Sequence, residues 1–277
     1  MSAKRDPLAS GPSGDGSVVL KRMFYIWRLI WTAFAFAALS VGGFILATTV
    51  IPMVSLFVRD ENERNRRAQY IIRESFRVYV TMLRMLGVLK LEVVGAAKLP
   101  ACRGKLIIAN HPTLIDIVLL MALLPDTKCV VKSELFSNRL MGPVVRAAGY
   151  IRNDYEPEAL IDKCRETLEA GYNLIIFPEG TRSIPGKPLH FQRGFAHIAT
   201  IAGVNVQPIT ISCEPITLVK GEPFYRIPDS RPTFRIEVAE EIDPQQFSNL
   251  ALQSRARTAR MLASYVEAEY CMRLKNA

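Results

Sequence analysis

Leu106-Ile107-Ile108-Ala109-Asn110-His111-Pro112-Thr113-Leu114-Ile115-Asp116 is the stretch on which the fold turns. Four consecutive apolar residues, two of them β-branched, read as a strand buried on both faces. Asn-His-Pro ends the run, because the residue before a proline is driven away from helix. The apolar pattern resumes over 115–124 at helical spacing. A strand, a short polar turn and a helix are the opening of an α/β layer. In such layers ligands gather beyond the carboxyl ends of strands.

The alternation continues outward. Strands are predicted over 91–94, 129–132, 173–177, 204–212 and 234–238. Helices are predicted over 158–170, 195–201 and 250–274. The expected fold is α/β, with a mixed, mostly parallel sheet covered by helices. No linker rich in Gly, Ser and Pro interrupts 90–240, so 89–277 is expected to be one catalytic domain. There is no internal repeat at a solenoid period.

Upstream, Leu29 to Val58 carries no charged residue. As one helix this run would reach about 45 Å, against a hydrocarbon core of about 30 Å. It must tilt or break, and Gly42, Gly43 and Pro52 are the candidate break points. A single tilted anchoring helix and a helical hairpin both fit. Lys21, Arg22 and Arg28 precede the run, and Arg59, Arg64, Arg66 and Arg67 follow it. Positive charge marks the cytoplasmic side, and here both flanks are positive. Over 61–86 a helix would gather Arg66, Arg73, Arg77 and Arg84 within about 40°. Ala68, Ile72, Phe76, Tyr79, Leu83 and Leu86 fall opposite. That pattern suits an amphipathic basic helix at an anionic bilayer surface, or a domain helix with a solvated basic face. Residues 1–20 lack periodicity and are expected to be a disordered tail, with 21–88 forming the membrane-associated segment.

Net charge is +9, from 35 Lys and Arg against 26 Asp and Glu. A basic balance points to nucleic acid or to anionic membrane. The long apolar run favours membrane, and no zinc-finger spacing or RNA-binding aromatic motif is present, so nucleic acid is not an expected partner. The five cysteines include no C-x-x-C pair, which suits a reducing compartment and buried thiols.

Chemistry concentrates at two strand ends. On one continuous helix, His111 and Asp116 would point about 140° apart. Pro112 frees His111 to sit on a loop, with Asp116 in the first helical turn, so that the carboxylate reaches the imidazole. Such a pair can take a proton from an alcohol near neutral pH. Thr113-x-x-Asp116 also fits a helix capping box, a purely structural use of the same carboxylate. The second strand end is Phe177-Pro178-Glu179-Gly180-Thr181-Arg182-Ser183. Gly180 permits a sharp turn, and Arg182 offers a fork of donors suited to phosphate. No G-x-S-x-G elbow occurs, and the other histidines, His190 and His197, make no metal spacing with His111. Neither metal nor cofactor is expected.

These segments together resemble the glycerophosphate and lysophosphatidate acyltransferase family. The family's N-H-x-x-x-x-D appears at 110–116 and its F-P-E-G-T-R-S at 177–183. A K-x-E-L element falls at 132–135, and V-x-P at 206–208. The resemblance implies that His111 is the general base and Asp116 its orienting partner. It makes Glu179, Gly180, Thr181 and Arg182 the acceptor-binding turn, with Lys132 and Arg152 as further substrate-binding candidates and Pro208 structural. It implies transfer of a fatty acyl group from acyl-CoA or acyl carrier protein, as co-substrate, to a lysophospholipid acceptor, 1-acyl-sn-glycerol-3-phosphate. The enzyme would then sit at the lipid bilayer with its catalytic domain on the cytoplasmic face. One segment departs from the family. Where G-x-I-F-I-x-R is usual, this chain has Gly149-Tyr150-Ile151-Arg152-Asn153-Asp154-Tyr155. Tyr155 occupies the arginine's place and Arg152 comes three residues early. The departure leaves open another acceptor, such as a lyso-ornithine lipid, another lysophospholipid or a specialised headgroup. A thioesterase is the rival from a different class, disfavoured because water needs no phosphate clamp.

Overall fold

A computed structural model describes residues 15–139, 141–251 and 254–275. Seven strands form one sheet: β1 (Lys90–Val94), β2 (Leu106–Ala109), β3 (Thr127–Val131), β4 (Ile151–Arg152), β5 (Asn173–Ile176), β6 (Val206–Glu214) and β7 (Thr233–Val238). Their spatial order is β1-β7-β6-β2-β5-β3-β4. All neighbours are parallel except β6 and β7.

The period of two sorts the central strands onto two cores. From β2, Ile107 and Ala109 enter one core and Leu106 and Ile108 the other. The first core is closed by α3 (Glu61–Met85) and α4 (Asp116–Leu123), the second by α7 (Pro157–Glu169), α8 (Gly194–Ala202) and α10 (Arg255–Lys275). Burial on both faces explains why these strands read as unbroken apolar runs. Between them run the shorter helices α5 (Glu134–Ser137), α6 (Met141–Ala147) and α9 (Gln245–Ala251), and a 3-10 turn over Ala96–Ala101. None of these was expected, and neither was β4; each is too short to show a period. The expected 250–274 helix begins only at Arg255.

Pro208 sits on β6, in the middle of the sheet, where a missing N–H interrupts the ladder. On the β7 side Gln207 Nε2 takes the place of that N–H, donating to the Ala239 carbonyl at 2.7 Å, and on the β2 side the ladder is bridged by Tyr270 of α10. Its buried hydroxyl lies 2.7 Å from the Ile108 carbonyl and accepts from the Ile209 N–H at 3.0 Å.

The N-terminal helix differs from expectation in three ways. It starts at Asp15, inside the stretch expected to lack structure, while residues 1–14 lie outside the described residues. It passes unbroken through Gly42 and Gly43 as α1 (Asp15–Ile45). A π turn over Leu46–Val50 then leads directly into α2 (Ile51–Phe57), and the flanking Ile45, Val50 and Ile51 keep right-handed helical dihedrals, so the chain does not reverse into a hairpin. Pro52 explains the π turn, because its ring would crowd the carbonyl four residues back in a regular helix.

One face of this long helix lies along the domain. Ala35 joins the first core, Trp27 Nε1 donates to the Leu86 carbonyl, and Ala47 packs with Ile72, Val144 and Ala148. Arg28, counted above among the flanking charges, is buried, with its guanidinium on the Asp229 carbonyl. The opposite face exposes apolar side chains from Val18 to Phe57.

α3 also departs from its reading as an interfacial helix. Its apolar stripe is covered by protein: Val80 and Leu83 lie in the first core, and Ile72 packs with α6. Periodicity identifies an apolar face but not what covers it. The basic side remains in solvent at Arg66, Arg77 and Arg84.

Candidate active site

β2 and β5 are adjacent and parallel, so the two unusual strand ends emerge side by side. Asn110 carries the join between β2 and β6 one residue further. Its side-chain amide donates to the Ile211 carbonyl at 2.8 Å and accepts from the Ile211 N–H at 2.7 Å, which is what a strand residue's backbone would do. The next residue, His111, is thereby launched from a fixed point.

His111 Nδ1 lies 2.8 Å from Asp116 Oδ2. The same oxygen accepts from the Thr113 N–H at 2.7 Å, and Asp116 Oδ1 accepts from the Thr113 hydroxyl. Capping and orienting are therefore not alternatives, since one carboxylate does both. It is an acceptor at His111, so the ring carries its proton on Nδ1 and leaves Nε2 as the basic nitrogen. The imidazole stacks on Phe177, with ring centroids 4.2 Å apart. Asp116 is fully buried. Burial pushes its carboxyl above the usual range, with the bonds from His111 and Thr113 opposing the rise.

Glu179 ties the second strand end to the first. Its Oε1 accepts from the His111 N–H at 2.8 Å and from the Ser183 hydroxyl at 2.9 Å, while the Ser183 N–H donates to the His111 carbonyl at 2.7 Å. Burial pushes this carboxyl up as well. Gly180 has φ +68°, and a Cβ there would come within 2.8 Å of Gln192 Nε2. The turn thus favours glycine for its dihedral, while the Gln192 side chain can move aside for a Cβ.

An open cleft of about 1840 Å³ joins these groups. His111, Lys132, Gly180, Thr181 and Arg182 line it, together with apolar side chains such as Val130, Leu160, Ile176 and Phe195. Asp116 and Glu179 do not line it but bond His111; the other expected site residue outside its lining is Arg152. Its guanidinium is paired with Asp154, Nε to Oδ1 at 2.9 Å and Nη2 to Oδ2 at 2.6 Å, on an exposed surface. Tyr155 is turned toward Lys163 of α7. Arg152→Ala is therefore expected to leave the acceptor's KM within about twofold in steady-state kinetics, the range of a solvent-exposed ion pair. A larger rise would show that the side chain leaves Asp154 to grip substrate.

Sequence reasoning missed Lys220, which enters the same cleft and bonds Thr181. It lies outside every motif recognised above, and only the folded chain places it.

A histidine–aspartate pair beside a cationic turn, at the carboxyl ends of a mostly parallel sheet, is suited to acid–base chemistry on an anionic substrate. Residues 90–212 match the family model described as Acyltransferase. Among curated relatives, a 1-acyl-sn-glycerol-3-phosphate acyltransferase from Cocos nucifera is 38% identical over 111 residues, covering 38% of this chain and 36% of the relative. A protein of the same name from Helicobacter pylori is 34% identical over 156 residues, covering 54% of this chain and 62% of the relative. The chain thus spans less than two thirds of the length of these relatives. The crystal structure of the 1-acyl-sn-glycerophosphate (LPA) acyltransferase PlsC from Thermotoga maritima shares the fold, with a TM-score of 0.70 at 23% identity, covering 91% of this chain and 97% of that one.

Proposed function

We propose that this chain transfers a fatty acyl group from acyl-CoA or acyl carrier protein to the free hydroxyl of 1-acyl-sn-glycerol-3-phosphate, forming phosphatidic acid. The observation that carries the reading is the His111–Asp116 contact within the same cleft as Arg182. His111 Nε2 takes the hydroxyl proton as the oxygen attacks the thioester carbonyl. The C–O bond forms, the C–S bond breaks, and the imidazolium returns the proton to the departing thiolate. Asp116 stabilises the imidazolium in between. Glu179 holds the His111 loop, and the cationic turn offers donors to the phosphate. Apolar walls from β3, α7 and α8 suit an acyl chain.

The bilayer is the expected source of the acceptor. The 40 residues from Val18 to Phe57 would extend about 60 Å as helix, about twice a hydrocarbon core. Contacts to the domain from Trp27 to Ala47 favour a helix lying in one leaflet, since an upright one would draw the domain into the lipid. Arg59, Arg64 and Arg67 nearby favour the cytoplasmic face.

The test is an acceptor screen with the purified full chain and radiolabelled thioester donors, read by lipid chromatography. Labelled phosphatidic acid is expected. Label appearing only on a non-phosphate acceptor would replace the substrate, and free fatty acid alone would replace transfer by hydrolysis.

A further inference from the structure

We infer that Lys220 is a specificity-determining residue for the acceptor, supplying a second fixed cation to its phosphate beside Arg182. The inference rests on the acyltransferase reading above and concerns the same cleft.

Arg182 is partly committed to a structural contact. Its Nη1 donates to the carbonyls of Leu218 and Val219, both at 3.1 Å. This fastens the segment after β6 across the cationic turn. A second tie comes from the Leu114 N–H to the Leu218 carbonyl at 3.0 Å, next to the His111 loop. Leu218 itself has φ +55°, a left-handed conformation that a β-carbon disfavours and that surrounding contacts must hold. Leu218 and Val219 are buried, and the next residue, Lys220, emerges into the cleft.

The Lys220 ammonium then donates to the Thr181 hydroxyl oxygen at 2.8 Å. With that oxygen accepting, the hydroxyl proton points away from the lysine and is available to an anion. Two further N–H groups of the ammonium remain. Thr181, Arg182 and Lys220 therefore present donors from one side, and Lys132 adds a cation to the cleft lining. A phosphate monoester carries more charge than one arginine with a shared guanidinium neutralises. Arg152 is engaged outside the cleft. Lys220 is the cation that the folded chain adds.

The experiment is steady-state kinetics on the full chain, comparing wild type with Lys220→Ala, Lys220→Gln and Lys220→Arg. Acceptor and donor concentrations are varied separately, and melting temperatures are measured alongside. Lys220→Ala and Lys220→Gln are expected to raise the KM for 1-acyl-sn-glycerol-3-phosphate about five- to tenfold, the scale of one solvent-facing charged hydrogen bond. The donor KM should stay within about twofold, the melting temperature should not move, and Lys220→Arg should recover most of the loss. An unchanged acceptor KM overturns the assignment. So does a rise in donor KM instead, which would place Lys220 on the donor's phosphates. Wild type that forms no phosphatidic acid would overturn the underlying acyltransferase reading, a result separable from any effect of Lys220.

Discussion

Replacing His111 with alanine is expected to lower the turnover of acyl transfer by about 10³- to 10⁴-fold, the upper range for a general base. The cleft holds no other imidazole to substitute: His190 is exposed and lies near Glu267, and His197 is on α8. Two carboxylates adjoin His111: Asp116 is fully buried, and the Oε1 of Glu179 is occupied by the His111 N–H and the Ser183 hydroxyl. The acceptor's KM should change by less than about threefold, because the cationic turn does not depend on the imidazole. Truncation also strands Asp116, which loses one of its donors while fully buried. Stability is therefore expected to fall by about 1–2 kcal/mol. His111→Gln separates the two effects, because a side-chain amide can donate to Asp116 without acting as a base. Its melting temperature should lie nearer wild type while turnover stays at the alanine level. Turnover above a tenth of wild type in either variant would exclude His111 as the base.

How much of this was legible in the sequence depends on the range of each interaction. His111 and Asp116 are five residues apart, and Pro112 restricts the path between them, so their meeting could be read locally. The two strand ends announced themselves as apolar runs terminated by polar turns, and parallel pairing of β2 with β5 set them together. Contacts between distant segments were not legible. The Asn110 amide on Ile211, the Tyr270 hydroxyl beneath Pro208 and the Lys220 ammonium on Thr181 join segments 101, 61 and 39 residues apart. None leaves a spacing signature. The apolar stripe of α3 was read correctly as a face, but whether lipid or protein covers it stayed open, because hydrophobicity does not distinguish lipid from the side chains of α4 and α6. Arg152 illustrates the converse limit. A charge of the right kind near a motif was assigned to the substrate, when a carboxylate two residues away satisfies it.

Asp116→Asn separates the two duties of the buried carboxylate. In serine proteases the equivalent exchange costs about 10⁴ in turnover, because the amide forces the wrong imidazole tautomer. Here the Thr113 N–H donates to the same oxygen that faces His111 Nδ1. An asparagine NH₂ in that position would oppose a donor, so the amide oxygen takes it and the NH₂ turns toward the Thr113 hydroxyl, which can accept. The His111 tautomer is thereby kept, and only the negative charge is lost. The imidazolium formed during the reaction then lacks the charge that stabilises it. Turnover is expected to fall about 10²-fold, clearly less than for Asp116→Ala, which also frees the ring. Stability should move the other way. Burial holds the Asp116 carboxyl above its unfolded value. The stability it contributes is therefore complete below the unfolded carboxylate range and is lost as pH rises through its folded pKa. Above that range the buried carboxyl is a net cost that asparagine removes. The melting temperature of Asp116→Asn relative to wild type should rise from the ordinary carboxylate range up to pH 8. A difference that shrinks over that interval would mean the Thr113 and His111 bonds outweigh burial. A turnover loss matching alanine would mean the amide has flipped and the Thr113 N–H does not govern it.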